Sequence, residues 1–178
     1  VQLLSQNYCI KDRFSSSALY TDVQIQKDSN IVYGVAKHWN SNVMDTLKMD
    51  VFYPKASFDA MPNRPVIVLI FGGGFLEGNR QSMYNMCKEF AKRGYVTATI
   101  DYRIGWNCLN GSAAILCLCN DPISMSLATY RATQDTRAAL RFLSSKRTQY
   151  RIDTASFIVG GVSAGSITAL TTAFVDQA

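Results

Sequence analysis

The chain has 178 residues, of which 48% are hydrophobic and 17% charged, and its formal net charge is +5. This length fits one globular domain, and the apolar content excludes a wholly disordered chain. No window approaches the roughly 18 consecutive apolar residues of a membrane-spanning helix. The basic residues are scattered and follow no nucleic-acid-binding motif, so neither a membrane span nor nucleic-acid binding is expected.

Residues 1–30 are polar and serine-rich, and we interpret them as an N-terminal arm with a short strand at residues 22–26. A single domain is predicted over residues 31–178, where strand and helix patterns alternate. The predicted elements are strands at 31–35, 47–54 and 66–71, a helix at 81–93, a strand at 95–100, a helix at 126–146, a strand at 157–160 and a helix at 164–175. This order is typical of an α/β fold, a sheet with parallel central strands flanked by helices.

A G-x-S-x-G motif spans residues 161–165, between the last predicted strand and the last helix. A nucleophilic serine needs an exposed hydroxyl on a tight bend, and small neighbours allow the chain to turn sharply. The N-terminus of the following helix also favours negative charge at this point. The context predicts that Ser163 is a nucleophile, and the alternative is an ordinary glycine-serine turn.

Three consecutive glycines, residues 72–74, follow the apolar run VIVLIF. Acyl transfer needs hydrogen-bond donors aimed at a developing oxyanion, and bare backbone N–H groups supply them. A flexible loop or a phosphate-binding loop is the alternative. However, no Gly-Lys-Ser/Thr follows, and the chain contains no G-x-G-x-x-G with a downstream acid, which disfavours nucleotide cofactors.

The two motifs, in this order and each after a buried strand, resemble the α/β-hydrolase fold, more narrowly its carboxylesterase and lipase branch and secreted bacterial esterases. The segments LKMDVFYP, TIDYR and YRATQDTRAALRFL fit the same resemblance, which covers about residues 30–178. It implies hydrolysis of a small carboxylic ester through an acyl-enzyme at Ser163, without metal or cofactor. The backbone amides of Gly73, Gly74 and Ala164 are the implied oxyanion hole.

The chain departs from this family in two ways. Phe71 stands where many such esterases have a histidine before the glycines. The family order is serine, then an acid, then histidine, but only Asp176 follows Ser163 as an acid, and the sole histidine is His38. His38 is interpreted as an ordinary surface or loop residue, because an N-terminal strand lies far from the serine in this fold.

About five of the usual eight strands are predicted, and the strand before Ser163 is expected to form a bare apolar sheet edge. We therefore expect the N-terminal part of a larger esterase, inactive alone, with the missing acid and base supplied by a C-terminal segment or a second chain. The alternative is a non-catalytic binding or scaffold protein of the same fold.

The acidic residues elsewhere are expected to be structural. Asp101 is expected to bind Arg103 or a nearby backbone group, Asp135 to stabilise its helix, and Asp153 to cap a turn before a strand.

Three cysteines, Cys108, Cys117 and Cys119, fall in the long segment 103–125. Their spacing without a nearby histidine is a poor zinc pattern. A disulfide from Cys108 to Cys117 or Cys119 is expected if the protein is secreted or periplasmic, the compartment that the resemblance favours. The segment is also expected to overhang the site, with Trp106 and Leu109 as its apolar face.

Overall fold

The computed structural model describes residues 8, 10, 12–108 and 121–175. Its strands form one mixed sheet in the order β1-β2-β4-β3-β5. Their bounds are β1 Ile25–Lys37, β2 Met44–Pro54, β3 Arg64–Ile70, β4 Val96–Ile100 and β5 Ile152–Gly161. Strands β4, β3 and β5 are parallel to one another, whereas β2 is antiparallel to both β1 and β4. The predicted α/β architecture, with parallel central strands, is therefore correct.

Four helices cover this sheet: α1 Tyr84–Ala91, α2 Pro122–Ser145, α3 Arg147–Tyr150 and α4 Ala164–Phe174. Helix α1 packs against β4 and β2, while α4 packs against β5 and α2. Every residue of β3 and β4 is buried, as expected for central strands covered on both faces. None of the helices in the described part of the chain combines the length and apolar character needed to cross a bilayer.

The N-terminal strand corrects the sequence interpretation. Residues 22–26 and 31–35 were expected to form two strands, but β1 is continuous from Ile25 to Lys37, preceded by a 3-10 turn at Asp22–Gln24. Two register shifts interrupt its pairing with β2, and Asn30 has a φ of 59°. Such irregularities break the period of two, so that one strand resembles two in the sequence.

Other element bounds also differ from expectation. The predicted helix at 81–93 is divided into a 3-10 turn at Arg80–Met83 and the shorter α1. Helix α2 begins at Pro122 rather than 126, because the Asp121 carboxylate caps it by accepting the Ser124 amide at 2.8 Å. An Asp-Pro pair is a recognised helix start, so this bound was readable from the sequence. Strand β5 begins five residues earlier than predicted, at Ile152.

The carboxyl ends of the parallel strands meet at one edge of the sheet. Ile70 at the end of β3 pairs with Gly161 at the end of β5, and both strands leave the sheet beside each other there. In open α/β sheets ligands bind outside the carboxyl ends of the strands. The triple glycine and the G-x-S-x-G motif, which follow β3 and β5, therefore both lie at this edge.

Candidate functional site

Ser163 occupies a strained bend between β5 and α4. Its backbone angles are φ 52° and ψ −118°, a conformation that non-glycine residues rarely adopt. The residue is exposed, and the preceding Val162 amide donates to the Ile70 carbonyl at 3.1 Å. The end of β3 thus holds the bend in place, and strain of this kind is found mainly at functional sites.

The two glycines of the motif are required by close backbone approach. A β-carbon built on Gly161 would lie 2.4 Å from the carbonyl carbon of Gly165. One built on Gly165 would lie 2.1 Å from the Ile70 carbonyl oxygen. Only hydrogen atoms fit at these two positions, so the glycines let the first turn of α4 sit directly against the end of β3.

The triple-glycine loop lies against the serine bend. A β-carbon on Gly72 would be 2.7 Å from the Val162 oxygen and 3.1 Å from the Ser163 β-carbon. Gly73 and Gly74 have positive φ angles of 125° and 61°. The structure therefore brings the two sequence motifs together at the sheet edge.

The backbone amides that are expected to form the oxyanion hole donate no hydrogen bond to another described residue. The Gly73 carbonyl accepts from the amides of Leu76 and Glu77, at 3.0 and 3.1 Å, which closes a turn after the glycines. No hydrogen bond between described residues uses the amide N–H of Gly73, Gly74 or Ala164. Free amides at a helix N-terminus and in a glycine turn are donors of the kind that stabilises an oxyanion.

Aromatic residues hold the triple-glycine loop in place. The Phe71 ring stacks on Tyr102, with ring centroids 4.4 Å apart. The Tyr102 hydroxyl donates to the Phe71 carbonyl at 3.0 Å, and the Trp106 indole nitrogen donates to the Gly74 carbonyl at 2.9 Å. Tyr102 and Trp106 are buried, so the loop rests on a rigid base. No sequence pattern indicated this role of Tyr102.

His38 is not brought to Ser163. It follows the end of β1, at the opposite side of the sheet from β5 in the strand order. Four strand spacings of about 4.8 Å separate those strands by roughly 19 Å. The His38 Nδ1 lies 3.2 Å from the Ser41 hydroxyl, within its own loop.

Asp101 binds Arg80, and the expectation of an Arg103 partner is wrong. Its carboxylate accepts from Arg80 at 2.6 Å, and the same guanidinium donates to buried Asp50 at 2.9 Å. Burial raises the pKa of Asp101, although Arg80 opposes the shift. The backbone turns away after β4, so that Arg103 instead reaches Asp135 on α2.

Asp135 is buried and has a structural partner. It accepts from the Arg103 backbone amide at 2.8 Å and from its guanidinium at 2.8 Å. Burial raises the pKa of Asp135, and the contacts from Arg103 counteract it. Asp153 lies inside β5 rather than before it, where it accepts from the Ala155 amide at 2.9 Å and from Tyr8. Neither acid contacts Ser163.

Two of the five cysteines lie among the described residues. Cys108 is disulfide-bonded, and Cys87, the other cysteine among the described residues, is a buried free thiol. Cys117, Cys119 and Leu109 lie outside the described residues. Within the described ranges, no three His, Cys, Asp or Glu side chains gather as a metal-binding group.

Comparison with known proteins finds similarity to one family model and to solved structures. The BD-FAE family model matches residues 49–114, which include the triple glycine. No curated protein sequence matches the chain.

Solved structures of esterases share the fold. Native esterase 2 of Thermogutta terrifontis is 26% identical with a TM-score of 0.56, covering 81% of this chain and 43% of its own. The same esterase phosphorylated by paraoxon is 24% identical with a TM-score of 0.58, and the match covers 82% of this chain and 46% of the esterase. Esterase B of Lactobacillus rhamnosis is 22% identical with a TM-score of 0.60, and the match covers 87% of this chain and 41% of the esterase. The chain thus spans less than half the length of these esterases.

Proposed function

We propose that this chain, which folds as part of an α/β-hydrolase, supplies the nucleophile and the oxyanion hole of a serine hydrolase that cleaves small carboxylic esters. The observation that carries the proposal is the contact between the triple-glycine loop and the strained bend at Ser163. A hydroxyl and free amides beside each other at a sheet edge are what acyl transfer from an ester requires.

The proposed reaction passes through an acyl-enzyme. The Ser163 Oγ attacks the ester carbonyl carbon, and its proton passes to a general base. The amides of Gly73, Gly74 and Ala164 stabilise the resulting oxyanion, which collapses and expels the alcohol with the proton from the base. Water, deprotonated by the same base, then attacks the acyl group and releases the acid. A single oxyanion donor typically contributes about 100-fold or more in rate.

We propose that the general base comes from outside the 178 residues. The single histidine of the chain, His38, lies about four strands from Ser163. In the described structure β5 pairs on one side only, with β3, so its other side is open to another strand. We propose that a further segment of the same protein adds there and brings the acid and the histidine, as the resemblance to esterases suggests.

Labelling of the full-length protein with a fluorophosphonate tests the nucleophile. We expect one label per protein at Ser163, and complete loss of both label and ester hydrolysis in Ser163→Ala. Ser145→Ala, which removes an exposed serine at the end of α2, is the matched control and is expected to label normally. Absence of labelling in the wild type would instead favour a non-catalytic binding or scaffold protein.

The intact mass of the protein from its natural source tests the proposed completing segment. We expect a mass well above that of 178 residues, with an acid and a histidine in the additional sequence. The mass could instead equal that of 178 residues, with a co-purifying chain that restores labelling. That result would show that a second chain supplies the acid and the histidine.

A further inference from the structure

The loop that follows β1 forms one wall of a cavity on the side of the sheet where the parallel strands have their carboxyl ends. Its volume is about 470 Å³, and residues 37–42, Arg103 and Arg131 line it. Three of these side chains, Lys37, Arg103 and Arg131, are positively charged, and none of the lining side chains is acidic. The composition of the wall therefore favours a negatively charged occupant.

Carboxylates among the described residues neutralise only part of the positive charge that lines this cavity. Arg103 forms a close ion pair with Asp135 at 2.8 Å. Neither Lys37 nor Arg131 forms an ion pair with any residue that the structure describes. The neighbouring stretch of sequence, LNGSAAILCLCN at residues 109–120, contains no acidic residue that could supply one.

The Arg131 guanidinium has hydrogen-bond donors that no described residue accepts. One terminal nitrogen of its guanidinium donates to the Gly105 carbonyl, but its enclosed Nε makes no hydrogen bond within the described part of the chain. Burial lowers the pKa of Arg131, and the nearby positive charge of Arg103 adds to this effect. A guanidinium offers five donors in a planar fork that matches carboxylate and phosphate oxygens.

We propose that this cavity binds the oxyanionic group, a carboxylate or phosphate, of a small molecule, with Arg131 as its main ligand and Lys37 adding charge. The binding does not depend on Ser163. Trp39 and Arg131 both contact Gly105, whose amide donates to the Phe75 carbonyl at 2.6 Å, so the occupied cavity adjoins the triple-glycine loop.

The two tryptophans of the chain allow a site-specific test. Trp39 lines the cavity, whereas the Trp106 indole is bonded to Gly74. The full-length protein, labelled with nitrogen-15, is titrated with inorganic phosphate and, separately, with acetate at constant ionic strength set by sodium chloride. Trp39→Phe assigns the indole signals. We expect the Trp39 signal to shift saturably, and the probe with the lower Kd distinguishes phosphate from carboxylate ligands.

Variants decide whether the proposed residues bind the anion. Arg131→Gln is expected to raise the Kd about tenfold or more, because it removes a charge-assisted hydrogen-bond donor. Arg141→Gln removes the same charge from an exposed position on the same helix, and it is expected to leave the Kd unchanged. Exposed Lys37→Gln is a second variant that leaves the Gly105 contact intact, and it is expected to weaken binding several-fold. Two results would overturn the proposal: no saturable shift with either probe, or the same Kd in the wild type, Arg131→Gln and Lys37→Gln.

Discussion

Gly72 lies directly against Ser163: a β-carbon on the glycine would be 3.1 Å from the β-carbon of the serine. The two residues are 91 positions apart in the sequence, and they meet because β3 and β5 are parallel neighbours that end at the same level. The sheet therefore builds the candidate site from two strand ends.

Gly165→Ala is expected to destabilise the protein by about 3 kcal/mol, because the added methyl group would overlap the Ile70 carbonyl oxygen. Unfolding in urea, followed by circular dichroism, measures the change. Gly160→Ala is the matched control, since its β-carbon would meet Leu69 at an ordinary 3.7 Å and should change stability by less than about 1 kcal/mol. Equal effects of the two substitutions would contradict the close approach of α4 to β3.

Tyr102→Phe is expected to slow fluorophosphonate labelling of Ser163 in the full-length protein roughly fivefold. The substitution keeps the ring stacked on Phe71 but removes the hydroxyl that donates to its carbonyl, a bond worth about 1 kcal/mol. Tyr95→Phe is the control, because it removes a hydroxyl that donates to the Phe14 carbonyl and lies before β4, at the opposite end of that strand from Tyr102. Labelling at the wild-type rate in Tyr102→Phe would show that this bond does not position the loop.

Cys87 is expected to resist alkylation in the native protein. Its side chain is fully buried, and burial raises the pKa of its thiol to about 12. The reactive thiolate is therefore a fraction of about one in ten thousand at pH 8. Peptide mapping after iodoacetamide treatment measures the modification, and the same treatment in urea is the control that should label Cys87 fully. Rapid labelling without denaturant would contradict its burial.

Stability is expected to fall below about pH 4 in part through Asp50. Burial alone would raise the pKa of Asp50, but hydrogen bonds from Tyr84, the Asn30 amide and Arg80 outweigh it and lower the pKa. A lowered pKa contributes stability above the unfolded value of about 3.9, and this is lost as pH falls through the folded value. The free energy of unfolding, measured from pH 7 to pH 2, should show this decline.

Asp50→Asn provides the test of that assignment. Removing one partner of a buried ion pair is expected to cost about 3 kcal/mol or more at pH 7, and to flatten the acid-side decline. Asp45→Asn lies on the same strand and forms no ion pair with a described residue, so it is the control. A decline of unchanged steepness in Asp50→Asn would assign the acid sensitivity to other groups, such as Asp59, whose pKa is also lowered.

Much of the fold was predictable because local patterns carry it. The continuous apolar runs of β3 and β4 predicted buried central strands, and the motif around Ser163 predicted a bend between strand and helix. The start of α2 was also encoded, in Asp121 and Pro122, but the weak periodicity of the preceding segment concealed it. The bulges of β1 were not predictable, since they depend on pairing with β2 and on the contact between Asn30 and Asp50.

The sequence by itself determined that a serine sits on a tight turn, that three glycines follow a buried strand, and that the chain has one histidine. Tertiary structure alone decided that Gly72 touches the serine bend, that Arg80 rather than Arg103 binds Asp101, and that Arg131 faces a cavity without a carboxylate partner. The physical reason is that composition and periodicity report local backbone preference. Contacts between distant residues depend instead on the order and register of the strands, which one chain's pattern does not specify.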